Sequence, residues 1–146
     1  MMIRGYEPRD SERLYEILCS SLDESYDPAM LSYFHMQWPG GQFVACDHAG
    51  RPIGFLSSSK INPAHAKIML FAVDRNYRSM GAGAALLIRL KQAAMMNGII
   101  HLSLEVRQSN MRAVNFYKRH GFVPTEVLPD FYNDGSSALR MDAIVN

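Results

Sequence analysis

Polar and apolar residues recur in two rhythms along the chain, and the rhythm changes at nearly every turn signal. Ile3 to Gly5 reads as a short edge strand. Leu14, Ile17 and Leu18 then recur at three and four residues, the stripe of an amphipathic helix, with Asp10 placed to cap it. Asp27-Pro28 reads as an N-cap followed by proline at the first helical position, which predicts a second short helix to about Met36. Tyr33, Phe34 and Trp38 fall at helical spacing and read as core. Two strands, Gln42 to Asp47 and Pro52 to Lys60, flank the turn His48-Ala49-Gly50-Arg51. Lys67 to Val73 is apolar almost throughout, which predicts a strand buried on both faces. A helix from near Gly81 to Asn97, stopped by Gly98, leads to a strand His101 to Val106. Ser109 to His120 predicts the last helix, ended by Gly121, and Phe122 to Leu128 and Ser137 to Ile144 predict two closing strands. The order β-α-α-β-β-β-α-β-α-β-β is that of an α/β (α+β) protein with a mixed sheet and helices on both faces.

Length and composition narrow the picture. A chain of 146 residues fits one domain, residues 1–146, with a sizeable single core. With 48% hydrophobic residues, 20% charged residues and a formal net charge of +1, neither a disordered tail nor a nucleic-acid partner is expected. The start, MMIRGYEPRD, has no apolar secretory core and no run is long enough to span a membrane, so a cytoplasmic protein without a membrane partner is expected. Cys19 and Cys46 are too few for a disulfide framework, and the five histidines have no ligand spacing, so no metal is expected. Neither cysteine has a nearby cue for an activating base, which favours direct group transfer over a cysteine-bound intermediate.

The stretch RSMGAGAALL, Arg78 to Leu87, carries Gly81 and Gly83 at the start of a helix. A dinucleotide fingerprint would need a third glycine at Leu86, and a P-loop would need Gly-Lys-Ser/Thr. Two readings remain: a seat for a pyrophosphate at a helix N-terminus, or a tight turn that brings the helix close to the sheet.

Arg78-Ser79-Met80-Gly81-Ala82-Gly83 after an apolar strand resembles the acyl-CoA motif of the GNAT superfamily of N-acetyltransferases. Leu104-Glu105-Val106-Arg107, Ser109-Asn110, Ala113, Phe116-Tyr117 and Gly121-Phe122 resemble the second half of its ribosomal-protein alanine (RimI) and Ard-type N-terminal members. Leu22, Glu24 and Tyr26 resemble a loop of the Ard type, with Asp23 where that loop has proline. Phe131-Tyr132-Asn133-Asp134-Gly135 resembles its Tyr-Tyr-x-Asp-Gly. The resemblance covers almost the whole chain and implies a mostly antiparallel sheet of about seven strands flanked by four helices. It also implies an enzyme that moves an acetyl group from acetyl-CoA to the α-amino group of a protein or peptide. Phe71, Ala72 and Val73 would then meet the pantetheine arm. Arg78 and the N–H groups of Met80, Gly81, Ala82, Gly83 and Ala84 would hold the pyrophosphate, and Asn110 and Tyr117 would complete the cofactor site. Leu22, Glu24, Tyr26 and Tyr132 would hold the acceptor. An acetyltransferase for lysine or small amines, and a CoA-binding module without catalysis, fit the cofactor motif as well. An auxiliary subunit or a ribosome contact is left open.

The chemistry demands a base, because an α-amino group is mostly protonated at neutral pH. In the strand His101 to Val106, Glu105 shares a face with His101 and Ser103 near the C-terminal end, where open sheets bind ligands. By itself such a glutamate reads equally as an ion-paired surface group; the resemblance implies the base. Asn110, Ala113, Val114 and Tyr117 form one helical stripe, so Tyr117 reads either as the acid for the departing thiolate or as a core tyrosine. Asn110 reads also as a simple cap. Glu24 reads as a second carboxylate near the amine or as a loop residue. The resemblance gives the oxyanion donor as the backbone N–H of Val73. Lys118, Arg119 and Arg112 read as a solvated helix face.

Overall fold

The alternation is set by which faces can be buried. In the computed structural model, which describes residues 1–21 and 26–146, it produces seven strands and four α-helices among the described residues. They are β1 (Met2–Gly5), α1 (Ser11–Ser21), α2 (Met30–Gln37), β2 (Gln42–Cys46), β3 (Pro52–Asn62) and β4 (His65–Val73), followed by α3 (Ala82–Met96), β5 (His101–Arg107), α4 (Met111–Arg119), β6 (Val123–Leu128) and β7 (Ala138–Ile144). The strands form one sheet in the order β1-β2-β3-β4-β5-β7-β6, antiparallel at every junction but β4–β5.

Each face has its own core. On one, α3 buries Leu86, Leu87, Leu90, Ala93 and Ala94 against Ala66, Ile68, Leu102, Leu104 and Met141, with Val114 of α4 and Phe122 beside them. On the other, Leu14, Ile17 and Leu18 of α1 and Leu31 and Phe34 of α2 cover Val44, Cys46, Phe55 and Leu70. A fully buried leucine contributes about 1.5–3 kcal/mol, so these stripes outweigh the modest helix propensity of α2. Gly98 and Gly121, at φ +74° and +88°, follow α3 and α4 where the sequence stops them.

Three expectations are corrected. Asp10 does not cap α1. It ends a short 3₁₀ turn, accepts 2.8 Å bonds from both Nη atoms of Arg4 and a 2.9 Å bond from the N–H of Glu7. Burial raises its pKa, but the Arg4 and Glu7 bonds outweigh that and hold the carboxyl below its usual range. The second helix begins at Met30, not Pro28; Asp27 Oδ1 accepts from the N–H of Ala29 (2.9 Å), and residues 28–29 form a turn closed by the N–H of Met30 donating to the carbonyl of Asp27 (3.0 Å). Tyr33 is 57% exposed, whereas Phe34 and Trp38 are buried. β4 is buried on both faces as expected, but not in a single register. A bulge between the pairs Ser57↔Leu70 and Ser58↔Ile68 leaves Met69 as the extra residue. Ala66 and Ile68 therefore face α3, Leu70 and Ala72 face α1, and Phe71 and Val73 return, half-buried, to the α3 side.

Candidate active site

β4 and β5 pair only through His65↔His101, Ala66↔Leu102 and Lys67↔Ser103. Beyond that, β4 is held by β3 to Val73↔Gly54 and β5 by β7 to Arg107↔Ala138, which leaves a gap between the strand ends. A cleft of about 590 Å³ opens there, walled by Phe71, Ala72 and Val73 on the β4 side and by α4 on the other. The N–H of Asp74 donates to the carbonyl of Ile53 (2.7 Å), so the alternation of the backbone turns the N–H of Val73 away from β3 and toward the gap.

The segment from Asp74 to Ala84 forms the floor. Asp74 accepts from the N–H of Asn76 (2.9 Å) and pairs with Arg13, and these bonds, the backbone one foremost, hold its carboxyl below the usual range against partial burial. Ser79 takes φ 66°, and Gly81, at φ +88°, is the N-cap of α3 and offers no side-chain cap. The first N–H groups of α3 thus have no acceptor within the helix, and Ala82, Gly83 and Ala84 line the cleft. A Cβ on Gly83 would meet Phe116 Cζ at 3.5 Å and Phe71 Cζ at 3.8 Å, ordinary contacts. No described residue requires glycine there, and Gly83 lines the cleft. Arg78 lines the cleft, while Met80 does not: its side chain is carried to solvent between the positive-φ residues Ser79 and Gly81.

α4 contributes more than the sequence reading assigned to it. Asn110 caps it, accepting at Oδ1 from the N–H of Ala113 (3.2 Å), and also lines the cleft. Tyr117 lines it too, packed edge-on against Phe116 (5.4 Å) and Phe122 (5.6 Å). Burial, and secondarily Tyr132, push its phenol well above the usual value. Arg112, Lys118 and Arg119 are all exposed, as expected of a solvated face; Arg112 and Arg119 also line the cleft with His120, and Lys118 does not. Arg112, Phe116, Arg119 and His120 lie four, seven and eight apart, the spacing that could have marked them. Tyr77 and Ser21, with no signal in the sequence, also line it, and the Ser21 hydroxyl donates to the carbonyl of Val73 (3.5 Å). Among the described residues that line the cleft none is acidic, and Arg78, Arg112 and Arg119 make no ion pair.

Glu105 lies outside the cleft lining, on the opposite face of β5 from Leu104 and Val106. Its side chain is only 7% exposed; Oε1 accepts from Nζ of Lys67 and, at 3.4 Å, from Nη2 of Arg140, whose Nη1 reaches Oε2 of Glu126 at 2.8 Å. Along the same face His65 and His101 stack at 4.0 Å between ring centres, His65 shares a 2.7 Å hydrogen bond with the Ser103 hydroxyl, and His101 pairs with Asp142 (2.5 Å). Burial first, and then His101, push His65 below its ordinary value.

The acceptor-side residues are placed in part. Leu22 and Glu24 lie outside the described residues. Tyr26 is half-buried against the α1–α2 core, and its carbonyl accepts from the Tyr15 hydroxyl (3.0 Å). Tyr132 sits in the β6–β7 loop with the guanidinium of Arg107 4.2 Å from its ring centre; Arg107 also reaches Asp134 (3.0 Å) and Ser136. Neither tyrosine lines the cleft. Cys46 is buried and Cys19 exposed, and no group of three His, Cys, Asp or Glu among the described residues can hold a metal ion. No helix among them is long and apolar enough to cross a membrane.

The gap between the parallel strand ends thus faces an uncapped, glycine-bearing helix start. The sequence model of the acetyltransferase (GNAT) family matches residues 11–122, and the chain belongs to that family. It is 32% identical over 145 residues to an uncharacterized N-acetyltransferase of Methanocaldococcus jannaschii, covering 97% of this chain and 90% of that one. It is 30% identical over 153 residues to an N-alpha-acetyltransferase of Sulfurisphaera tokodaii, covering 97% and 91%. The crystal structure of Ard1 from Thermoplasma volcanium superposes with a TM-score of 0.96 at 39% identity, covering 99% and 97%.

Proposed function

We propose that this chain, acting as one domain, is an N-terminal acetyltransferase that moves the acetyl group of acetyl-CoA to the α-amino group of a protein or peptide by direct attack in a ternary complex. The similarity to the N-alpha-acetyltransferase of S. tokodaii and to Ard1 supports the acceptor class. The observation that carries the reading is the two-sided gap: unpaired cations and N–H donors on one side, a nearly buried carboxylate on the other.

The residues present fit the donor. Arg78 and the N–H groups of Ala82, Gly83 and Ala84 hold its pyrophosphate, where Gly83 leaves room and no carboxylate repels it. Arg112 and Arg119 add charge for the remaining phosphate. The free edge of Phe71 to Val73 meets the pantetheine amides, with Asn110 opposite. Acetyl-CoA, when bound, supplies an activated acetyl group and a thiolate leaving group.

The chain's own groups carry the transfer. Glu105, directly or through water, takes one proton from the acceptor ammonium and so frees the lone pair that bonds to the acetyl carbon; the second proton leaves the nitrogen as the C–S bond breaks and passes to the departing thiolate or to solvent. The N–H of Val73 donates to the carbonyl oxygen while negative charge develops there. Tyr117, whose raised proton affinity keeps it a phenol, donates a hydrogen bond to the sulfur as the C–S bond breaks. Tyr26 and Tyr132 border the acceptor peptide. Neither cysteine lines the cleft, which supports direct attack.

The test is acetyl-CoA turnover on short peptides with free N-termini beside N-terminally blocked peptides carrying an internal lysine. Turnover confined to free N-termini is expected. Equal rates on blocked peptides would make the chain a lysine or small-amine acetyltransferase, and CoA binding without turnover a non-catalytic module.

A further inference from the structure

Lys67 is the last residue of β4 paired with β5, and Glu105 lies two residues beyond Ser103, its partner. Their ion pair therefore crosses the point where the two strands part. Both cations that reach Glu105, from Lys67 on β4 and Arg140 on β7, take the same oxygen, Oε1. No described residue takes Oε2. The buried side-chain polar atoms without a partner are His35 Nδ1 and Gln42 Oε1, so Oε2 of Glu105 keeps a path to solvent although the side chain is 7% exposed. An ionised carboxylate accepts at both oxygens, so Oε2, reached by solvent and by no described protein donor, can accept from a molecule outside the chain.

We propose that Lys67 is a positioning residue: its ammonium, backed by Arg140, holds Oε1 of Glu105 so that Oε2 is the atom presented to the acceptor amine or to the water that relays its proton. This rests on the reading that Glu105 takes that proton. Arg140 is shared with Glu126 at 2.8 Å and stands 3.4 Å from Glu105, so it is the weaker hold. Lys67 has Glu105 as its ion-pair partner, and its side chain is 27% exposed, which lets the aliphatic stem shift without opening the core. A glutamate freed from this clamp samples several rotamers, and misplacement of a reacting group by about 1 Å costs up to about a hundredfold in rate.

The experiment compares wild type, Lys67→Met, Lys67→Arg, Glu105→Gln and the double variant Lys67→Met/Glu105→Gln. It measures kcat and peptide KM with acetyl-CoA and a free-N-terminus peptide, and CoA affinity by calorimetry. Lys67→Met is expected to lower kcat about tenfold, with CoA affinity and peptide KM within about twofold, and Lys67→Arg to recover most of the loss. In the Glu105→Gln background, Lys67→Met is expected to cost nothing further, because it acts through that carboxylate. A loss that persists there, or a change in CoA affinity that matches the fall in kcat, would overturn the proposal and make Lys67 a staple of the strands. Full turnover by Glu105→Gln would overturn the assignment of the base itself, and the clamp with it. If Lys67→Met melts early, Lys67→Gln, which keeps the stem and a polar end, takes its place.

Discussion

On one side of the β4–β5 gap three guanidiniums stand with no carboxylate among the cleft-lining residues; on the other, Lys67, Glu105, Arg140 and Glu126 are in ion pairs and Asp142 is hydrogen-bonded to His101. Unpaired positive charge is costly to assemble and is stabilised when an anion arrives, so under the proposed function the cleft side is expected to bind its donor in a strongly salt-sensitive way. Paired charge is already oriented. Under the same proposal, the other side serves to place one carboxylate.

The sharpest way to break this contrast is Glu105→Gln, which is expected to lower kcat about a hundredfold while CoA affinity, read by calorimetry, stays within twofold. The donor side responds in the opposite sense. Arg112→Ala combined with Arg119→Ala is expected to weaken CoA about tenfold or more and to flatten the dependence of its affinity on salt, with the acceptor KM unchanged. An unaltered salt dependence would leave both arginines as a solvated face and nothing more.

Gly83→Ala separates stability from function at one atom. Alanine in a helix gains about 1 kcal/mol over glycine, and its methyl finds ordinary contacts, so the melting temperature is expected to rise by a few degrees while CoA affinity falls several-fold. A fall in both would mean that the protein itself needs the glycine.

The smallest effect is that of pH on the acceptor face. His65 is held below its ordinary value of 6.5, so the fold favours its neutral form. That contribution is complete above about pH 6.5 and is lost as pH falls through the lower folded value. Asp142 stays ionised through this window because the Thr125 and His101 bonds outweigh its burial. Melting temperatures taken from pH 7.5 to 5 are expected to fall by a degree or two less in His65→Gln than in wild type.

The elements and both helix stops were legible because each has a local cause: the α1 stripe, the glycines after α3 and α4, the period change at each turn. So was the glycine step, since an uncapped helix start is written in Gly81 and Gly83 themselves. The Met69 bulge was not, because an apolar run reads alike in or out of register, and only pairing with Ser57 and Ser58 displaces it. That the exposed Arg112 and Arg119 also line a cleft was not legible, because the cleft exists only once β4 and β5 part. Asp10 misled for a related reason. Its buried carboxylate is claimed by Arg4, a strand residue, before it can serve the helix that follows.

The three-rung contact of β4 with β5 has a mechanical meaning. Two antiparallel halves of the one sheet, β1 to β4 and β5 to β7, are stitched by that short seam, and the cleft continues it like a notch cut into a cloth. Pulled from its flanks, the molecule should tear there first, and a molecule lying in the notch would act as a rivet that raises the force needed to start the tear.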